Sequence, residues 1–328
     1  MRQKIYIRAD GGGTIGMGHL IRCGALADML SESYDLLFVL KEAPESFYKS
    51  LSAKAYEIKS IQSEQGWIST LQENDLVVLD GYHFGIEIQQ AIKSKHAKLI
   101  MIDDLAEKPL LADVIINHAP GLRQDDYAAI SEKGTVLALG SEYALLRQEF
   151  LQAAQSAPKP ISIKNLFICF GGADMHDFTG KALSAALKLD CFDKINVVIG
   201  PSYAYEKSLN EFCESCNRQV RVFKDISSIK MLEVMQQSGL AIVPASSVLF
   251  EALAAGLICL SGAYVDNQQR ILQGFLQSGA VFEIKDLNNI EIELTSWHQN
   301  FNPVLTIVNP IDGKSNFRIL ELFNRLTS

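Results

Sequence analysis

The pattern that most constrains this chain is the alternation of short apolar runs with longer helical stretches. In the first half, the runs at 5–9, 36–40, 76–79, 99–102, 114–116 and 136–139 predict strands, and 19–30 and 86–94 are the clearest helices between them. Several runs are apolar throughout, as in Leu76-Val77-Val78-Leu79. Strands of that kind are covered on both faces, so the pattern predicts parallel α/β sheets. A second series starts with strand 165–170, helix 179–189, strand 195–199, helix 205–213 and strand 220–223. Helix 228–237, strand 240–243 and helices 248–255 and 268–277 follow, and an amphipathic segment at 312–326 closes it. Between the series, Gln152 to Pro160 is small and polar, and Pro158-Lys159-Pro160 reads as a linker. The expected organisation is an N-terminal domain over 1–155, a C-terminal domain over 161–308 and a terminal helix within 309–328 that packs back on the first domain. A ligand is expected at the carboxyl ends of the strands and in the cleft between two doubly wound domains.

Composition narrows the function. With 48% hydrophobic and 21% charged residues the chain is too apolar to be disordered. Asp plus Glu exceed Lys plus Arg by 38 to 30, a net charge of -8, which argues against a nucleic-acid partner. No run approaches the roughly 18 apolar residues of a membrane span, and the opening Met1 to Asp10 is too soon charged for a secretory signal. The six cysteines are scattered, and Cys213-Glu214-Ser215-Cys216 has no second pair or nearby histidine to complete a zinc site. Reduced thiols and a cytoplasmic setting are expected.

The first loop, Asp10 to His19, follows a strand, opens a helix and holds five glycines in the eight positions 11–18. Gly11, Gly13 and Gly16 satisfy GxGxxG, but the acid that would hold a ribose at the end of strand two is missing, with Lys41-Glu42 about ten residues late. No Gly-Lys-Ser/Thr follows, so neither a dinucleotide cofactor nor a Walker loop is assigned. His19 enters the first helix at the rim where ligands bind. It is expected to be exposed, and the helix start favours its neutral form, a base for water or a hydroxyl. Arg22 reaches back to the loop or faces solvent, and Cys23 is core. Asp80-Gly81-Tyr82-His83, Asp103-Asp104 and Asn117-His118 end three successive strands, which suggests a binding surface on the same rim. Asp103-Asp104 has no matching acidic cluster, so no metal is assigned.

In the second half, Phe170-Gly171-Gly172-Ala173-Asp174 lies between a strand and a helix and offers backbone amides to a phosphate. Ser246 and Ser247 open another helix, and Glu251, four residues on, is placed to take both hydroxyls of a ribose unless it faces solvent. Asp266-Asn267-Gln268 is a polar turn before a further helix. The second domain thus reads as a nucleotide-diphosphate holder and the first as the bearer of His19.

The segment Ile15-Gly16-Met17-Gly18-His19-Leu20-Ile21-Arg22 is similar to the start of the PseG family. These are UDP-2,4-diacetamido-2,4,6-trideoxy-β-L-altropyranose hydrolases of pseudaminic acid biosynthesis. Asp80-Gly81-Tyr82, Ile102-Asp103-Asp104, 112–117, 139–147, 170–174, 251–256, Asp266-Asn267-Gln268 and Asp312-Gly313 resemble it in the same order. The resemblance implies a GT-B fold related to MurG-type glycosyltransferases, two Rossmann-like domains facing each other across a cleft. It implies a UDP-sugar substrate with water as co-substrate, no cofactor, no metal, no stable membrane insertion and a monomer or weak homo-oligomer. His19 would activate water and Tyr82 would lie at the sugar. Glu251 would take the ribose, with Gly171, Gly172, Ser246 and Ser247 around the diphosphate. Gly16, Gly18, Arg22, Asp103, Asn117, Asp174, Asn267 and Gln268 complete the expected contacts. Hydrolysis would invert the anomeric carbon, and the product would serve bacterial surface glycans such as those of flagellin. Two features depart from the family: a first loop richer in glycine than in serine, and no glycine ahead of Ser246-Ser247. A UDP-sugar-dependent transferase, or an epimerase or hydrolase of another UDP-sugar, is the alternative.

Overall fold

The computed structural model describes residues 2–12, 16–156, 162–216, 219–301 and 309–327. The chain forms two compact units, one of 1–148 with 314–328 and the other of 149–313. The first unit contains β1 (Lys4–Ala9), α1 (Gly18–Leu30), β2 (Asp35–Leu40), α2 (Glu45–Ala53), β3 (Glu57–Ser60) and α3 (Glu64–Ile68). It continues with β4 (Leu76–Asp80), α4 (Ile86–Lys93), β5 (Lys98–Ile102), β6 (Val114–Asn117) and β7 (Val136–Leu139). Its seven strands are parallel in the order β3-β2-β1-β4-β5-β6-β7.

The second unit starts within α5 (Gln148–Ala154), followed by β8 (Asn165–Ile168), α6 (Phe178–Leu187), β9 (Lys194–Ile199), α7 (Glu206–Glu214) and β10 (Gln219–Lys224). Then come α8 (Ser228–Gln236), β11 (Leu240–Pro244), α9 (Ser247–Ala254), β12 (Ile258–Gly262), α10 (Asp266–Gln277), β13 (Val281–Glu283) and α11 (Ile290–Asn300). Its six strands, also parallel, run β10-β9-β8-β11-β12-β13. The last helix, α12 (Ser315–Thr327), belongs to the first unit.

The apolar runs explain these layers. In β4, Leu76 and Val78 face one core, with Ile5, Ile7 and Leu26, while Val77 and Leu79 face the other, with Trp67 and Ile92. Helix α1 presents Leu20, Cys23, Leu26, Ala27 and Leu30 to the first core, and α12 adds Ile319, Leu322 and Phe323. That spacing is one helical stripe each. Burying a leucine in such a layer contributes about 1.5–3 kcal/mol. Tyr34 Oη donates to Asn324 Oδ1 at 2.8 Å and Ser315 Oγ to the Ala144 carbonyl at 2.7 Å, fixing α12 to its unit.

Three strands missing from the sequence reading are present: β3, β12 and β13. The division between units falls at 148/149, ahead of the expected linker, because α5 works for the second unit. Ser228 Oγ donates to Glu149 Oε1 at 2.7 Å, and Gln155 Nε2 to the Gly313 carbonyl at 2.6 Å. The proposed linker, Pro158-Lys159-Pro160, and loop residues Gly13 and Ile15 lie outside the described residues. Among the described residues, no helix is long and apolar enough to cross a membrane.

In each sheet the strand order reverses beside the first strand, between β1 and β4 and between β8 and β11. Ligands in open α/β sheets bind outside the carboxyl ends at such points. The glycine loop of 10–17, Asp80, the Gly171 loop and Ser246 all follow those four strands.

Candidate active site

Ala9 and Asp80 are paired neighbours at the ends of β1 and β4, which brings the start of α1 beside the end of β4. His19 Nδ1 lies 2.6 Å from Asp80 Oδ1. Arg22, one turn further along α1, donates Nε to Asp80 Oδ2 and Nη2 to Oδ1, each at 2.6 Å, and Nη1 to Asp104 Oδ1 at 2.6 Å. Asp104 Oδ2 accepts the Tyr82 hydroxyl at 2.8 Å. The Tyr82 ring meets the His19 ring edge-on, with centroids 5.0 Å apart. His19 is therefore 7% exposed rather than open to solvent, because Asp80 draws its ring inward. Arg22 is buried as well, turned away from both the loop and solvent by its two carboxylates.

Burial alone would raise the Asp80 carboxyl, but the Arg22 charge and His19 outweigh it and hold it well below the usual carboxylate range. The same balance, with Arg22 the main partner, lowers Asp104. Burial and the Asp80 charge push the Cys23 thiol up, so this core cysteine stays protonated. Burial and Arg22 press His118 down to about 4, against the raising effect of Asp104 and Asp80. Arg22 Nη2 is also 3.1 Å from His19 Nδ1. Both nitrogens converge on Asp80 Oδ1 at 2.6 Å, so that approach follows from a shared acceptor. With Nδ1–H given to an ionised carboxylate, the neutral imidazole carries its lone pair on Nε2. Such an arrangement can take a proton from water.

A cavity of about 460 Å³ opens over this group, lined among others by His19, Tyr82, Asp10, Glu64 and His83. A second, of about 380 Å³, shares Tyr82 and His83 and is lined by Asp103. Asp103 and Asp104 diverge. Asp103 accepts the Ala106 amide at 2.8 Å and the Tyr127 hydroxyl at 2.7 Å. Asn117, fully buried, donates to Tyr127 Oη at 2.8 Å and accepts the Ala119 amide at 3.0 Å. Asp103 and Asn117 thus meet through Tyr127 and brace the loops, while Asp104 joins the histidine group. Gly16 has φ +78 and its carbonyl accepts the Gly12 amide at 2.8 Å. A Cβ at Gly16 or Gly18 would meet nothing within 4 Å, so both leave open space.

In the second unit the two helix starts differ. Asp174 accepts the Phe178 and Thr179 amides at 2.9 and 2.7 Å, and Asp177 accepts the Gly180 amide at 3.1 Å. Two carboxylates thus already take the first amides of α6. Gly172 is pressed against Gly200, where a Cβ would lie 2.3 Å from the Gly172 carbonyl oxygen, and that oxygen accepts the Ser202 amide at 3.2 Å. Gly171 adopts φ +85. Helix α9, in contrast, has Ser246 at its N-cap with no side-chain cap. Glu251 is 4% exposed, so it does not face solvent. Gln268 is buried and accepts the Tyr264 amide at 3.1 Å, while neighbouring Asn267 is half-buried.

The sequence placed Asp80 and Asp104 on the same rim as His19, but not as the carboxylates that bind His19, Arg22 and Tyr82 together. The available signal was an aspartate ending a strand that is otherwise Leu-Val-Val-Leu.

No family model matches the chain. The UDP-2,4-diacetamido-2,4,6-trideoxy-β-L-altropyranose hydrolase of Campylobacter jejuni is 27% identical over 287 residues, 86% of this chain and 99% of the hydrolase. The resemblance spans that hydrolase almost completely. The spore coat polysaccharide biosynthesis protein SpsG of Bacillus subtilis is 25% identical over 85% of this chain and 83% of its own. An uncharacterized protein of Methanocaldococcus jannaschii is 27% identical over 98% of this chain, and the match spans 66% of that longer protein. Among solved structures, Acinetobacter baumannii MurG superposes with a TM-score of 0.62 at 13% identity, over 98% of this chain and 99% of its own. Anabaena HepE, solved with UDP-glucose, gives 0.61 at 12% identity over 99% and 98%. The likeness to the hydrolase family is thus shown along most of the chain, and the fold, two parallel-sheet α/β units, is that of GT-B glycosyltransferases.

Proposed function

We propose that this chain processes a UDP-sugar, and specifically that it hydrolyses UDP-2,4-diacetamido-2,4,6-trideoxy-β-L-altropyranose to UDP and 2,4-diacetamido-2,4,6-trideoxy-L-altrose. The observation that carries this reading is the His19–Asp80 pair at 2.6 Å, opening on a cavity with Tyr82. The likeness to the Campylobacter hydrolase supports the choice of substrate.

In this reading His19 Nε2 takes a proton from water as its oxygen bonds to the anomeric carbon. The C–O bond to UDP breaks, and its electron pair leaves on the diphosphate. Attack opposite the leaving group inverts the centre. The diphosphate is a weakly basic leaving group, so the reaction calls for no protonated carboxylic acid, and the reading assigns it no metal. Asp80 fixes the imidazole and stabilises the charge it gains. In the second unit, the unblocked start of α9 at Ser246 and Ser247 suits the diphosphate. The buried Glu251 suits the ribose, and Asn267 and Gln268 stand at the start of α10.

The test is incubation with the UDP-diacetamido sugar without acceptor or added metal, followed by NMR. Expected are UDP and free sugar in equal amounts, with the first-formed anomer inverted. No free sugar without an acceptor would favour a transferase, and a new UDP-sugar an epimerase.

A further inference from the structure

The cavity over His19 holds a second imidazole. His83 lines it too, 47% exposed, with Nε2 3.5 Å from Asp10 Oδ2. The two histidines stand on clusters built alike, each with one buried arginine bridging two carboxylates. Arg22 joins Asp80 and Asp104 behind His19, and Arg8 joins Asp10 and Glu64 beside His83. Arg8 is fully buried in β1 and gives both terminal nitrogens to Asp10 at 2.6 Å. The Lys41 and Glu42 amides add bonds to Asp10 at 2.9 and 3.0 Å. Burial would raise the Asp10 carboxyl, but His83, Arg8 and these amides outweigh it and keep it ionised. An ionised Asp10 orients the Nε2–H of His83 towards itself and leaves the lone pair on Nδ1.

Gly81 leaves room beside that nitrogen. A Cβ there would sit 3.2 Å from His83 Nδ1 and 3.0 Å from Cε1. Without one, the space beside Nδ1 is left clear, and Gly81 itself lines the cavity. Asp10, Glu42 and Glu64 line it as well, with Lys41 beside them, and three carboxylates to one ammonium favour N–H and O–H donors over phosphate.

We propose that His83, oriented by Asp10, is a specificity-determining residue whose Nδ1 accepts a hydrogen bond from an N–H or O–H group of the sugar. An amino or acetamido sugar supplies such a donor, whereas the nucleotide end does not bind here. The inference rests on the reading of the chain as a UDP-sugar enzyme, but not on whether water or another acceptor receives the sugar.

The test is imidazole ¹⁵N NMR on the His19→Ala protein, which suppresses turnover, with His83 signals assigned by their loss in a His83→Asn double variant. Adding the UDP-diacetamido sugar should shift His83 Nδ1, and adding UDP should not. An equal shift with UDP, or an unmoved His83 while calorimetry shows the UDP-sugar bound, overturns this inference alone. If calorimetry finds no UDP-sugar binding at all, the functional reading fails and takes the inference with it. In steady state, His83→Leu should raise KM about 5- to 10-fold with kcat within about threefold. His83→Asn, which keeps an acceptor near the Nδ1 position, should recover most of that loss. UDP affinity and the thermal midpoint should not move, as they would for a merely structural histidine.

Discussion

In the first unit, β1, β4 and β5 run into Asp10, Asp80 and Asp104, whereas in the second, β8 and β11 run into Gly171-Gly172 and Ser246-Ser247. One rim is made of buried, cross-linked charges and the other of backbone and small hydroxyls. The same strand order supports both, so the fold supplies the place and the side chains decide the work. Buried ion clusters fix an imidazole to a few tenths of an ångström, which proton transfer needs. Backbone amides at an unblocked helix start receive an anion without any titrating group. The contrast recurs inside the second unit, where Asp174 and Asp177 accept the first amides of α6 and the N-cap Ser246 of α9 makes no side-chain cap.

Removing the imidazole should have the largest effect. His19→Ala should lower kcat by roughly 10² to 10⁴ while UDP affinity stays within twofold. A parallel loss of UDP binding would erase the division of labour between the rims. Asp80→Asn comes next. It strips one carboxylate from Arg22 and His19, so it should lower kcat by about 10² and cost about 3 kcal/mol of stability, read by turnover and by urea unfolding. Undiminished turnover would show that Asp80 only braces the core.

The two helix starts can be set against each other. Ser246→Asp gives α9 an N-cap acid like Asp177 of α6, and should weaken UDP about tenfold by calorimetry, which is about 1.4 kcal/mol. Asp174→Asn should leave UDP affinity within twofold while costing about 1 kcal/mol, because the new side chain can accept only one of the Phe178 and Thr179 amides. The reverse ranking would move the diphosphate to α6. The smallest effect concerns pH. His118 sits near 4 when folded against 6.5 for the free side chain, so below about pH 6.5 the unfolded chain takes a proton that the native state refuses. Stability that is full above that pH should fall progressively towards pH 4, a few degrees in thermal midpoint, and His118→Leu should flatten that fall. Below it, the lowered Asp80 and Asp104 carboxyls add a steeper loss as the unfolded chain takes up their protons.

The parallel sheets were legible because β4 and β11 carry apolar residues on both faces, a pattern few other structures produce. Strand β3, Glu-Ile-Lys-Ser, escaped because it is a short edge strand with little to bury. Strand β12 escaped because Ile-Cys-Leu-Ser-Gly ends in turn-forming residues, although all five positions are buried. For the site, His19, Arg22 and Tyr82 could be read from their places after strands. Their partnership could not, since the Asp80 and Asp104 carboxylates lie 58 and 82 residues from Arg22 and nothing local records that pairing. Asp174 and Ser246 looked equivalent in sequence, each following a strand and preceding a helix. Only the geometry shows a carboxylate consuming the amides in one case.

On the proposed mechanism water, activated in the first unit, cleaves the anomeric C–O bond. Running the reaction in H₂¹⁸O without acceptor and weighing the released UDP by mass spectrometry decides it. Free sugar and UDP carrying no ¹⁸O are expected, since the diphosphate keeps its own bridging oxygen. Labelled UDP, which would mean cleavage at phosphorus, or no release at all, would contradict it.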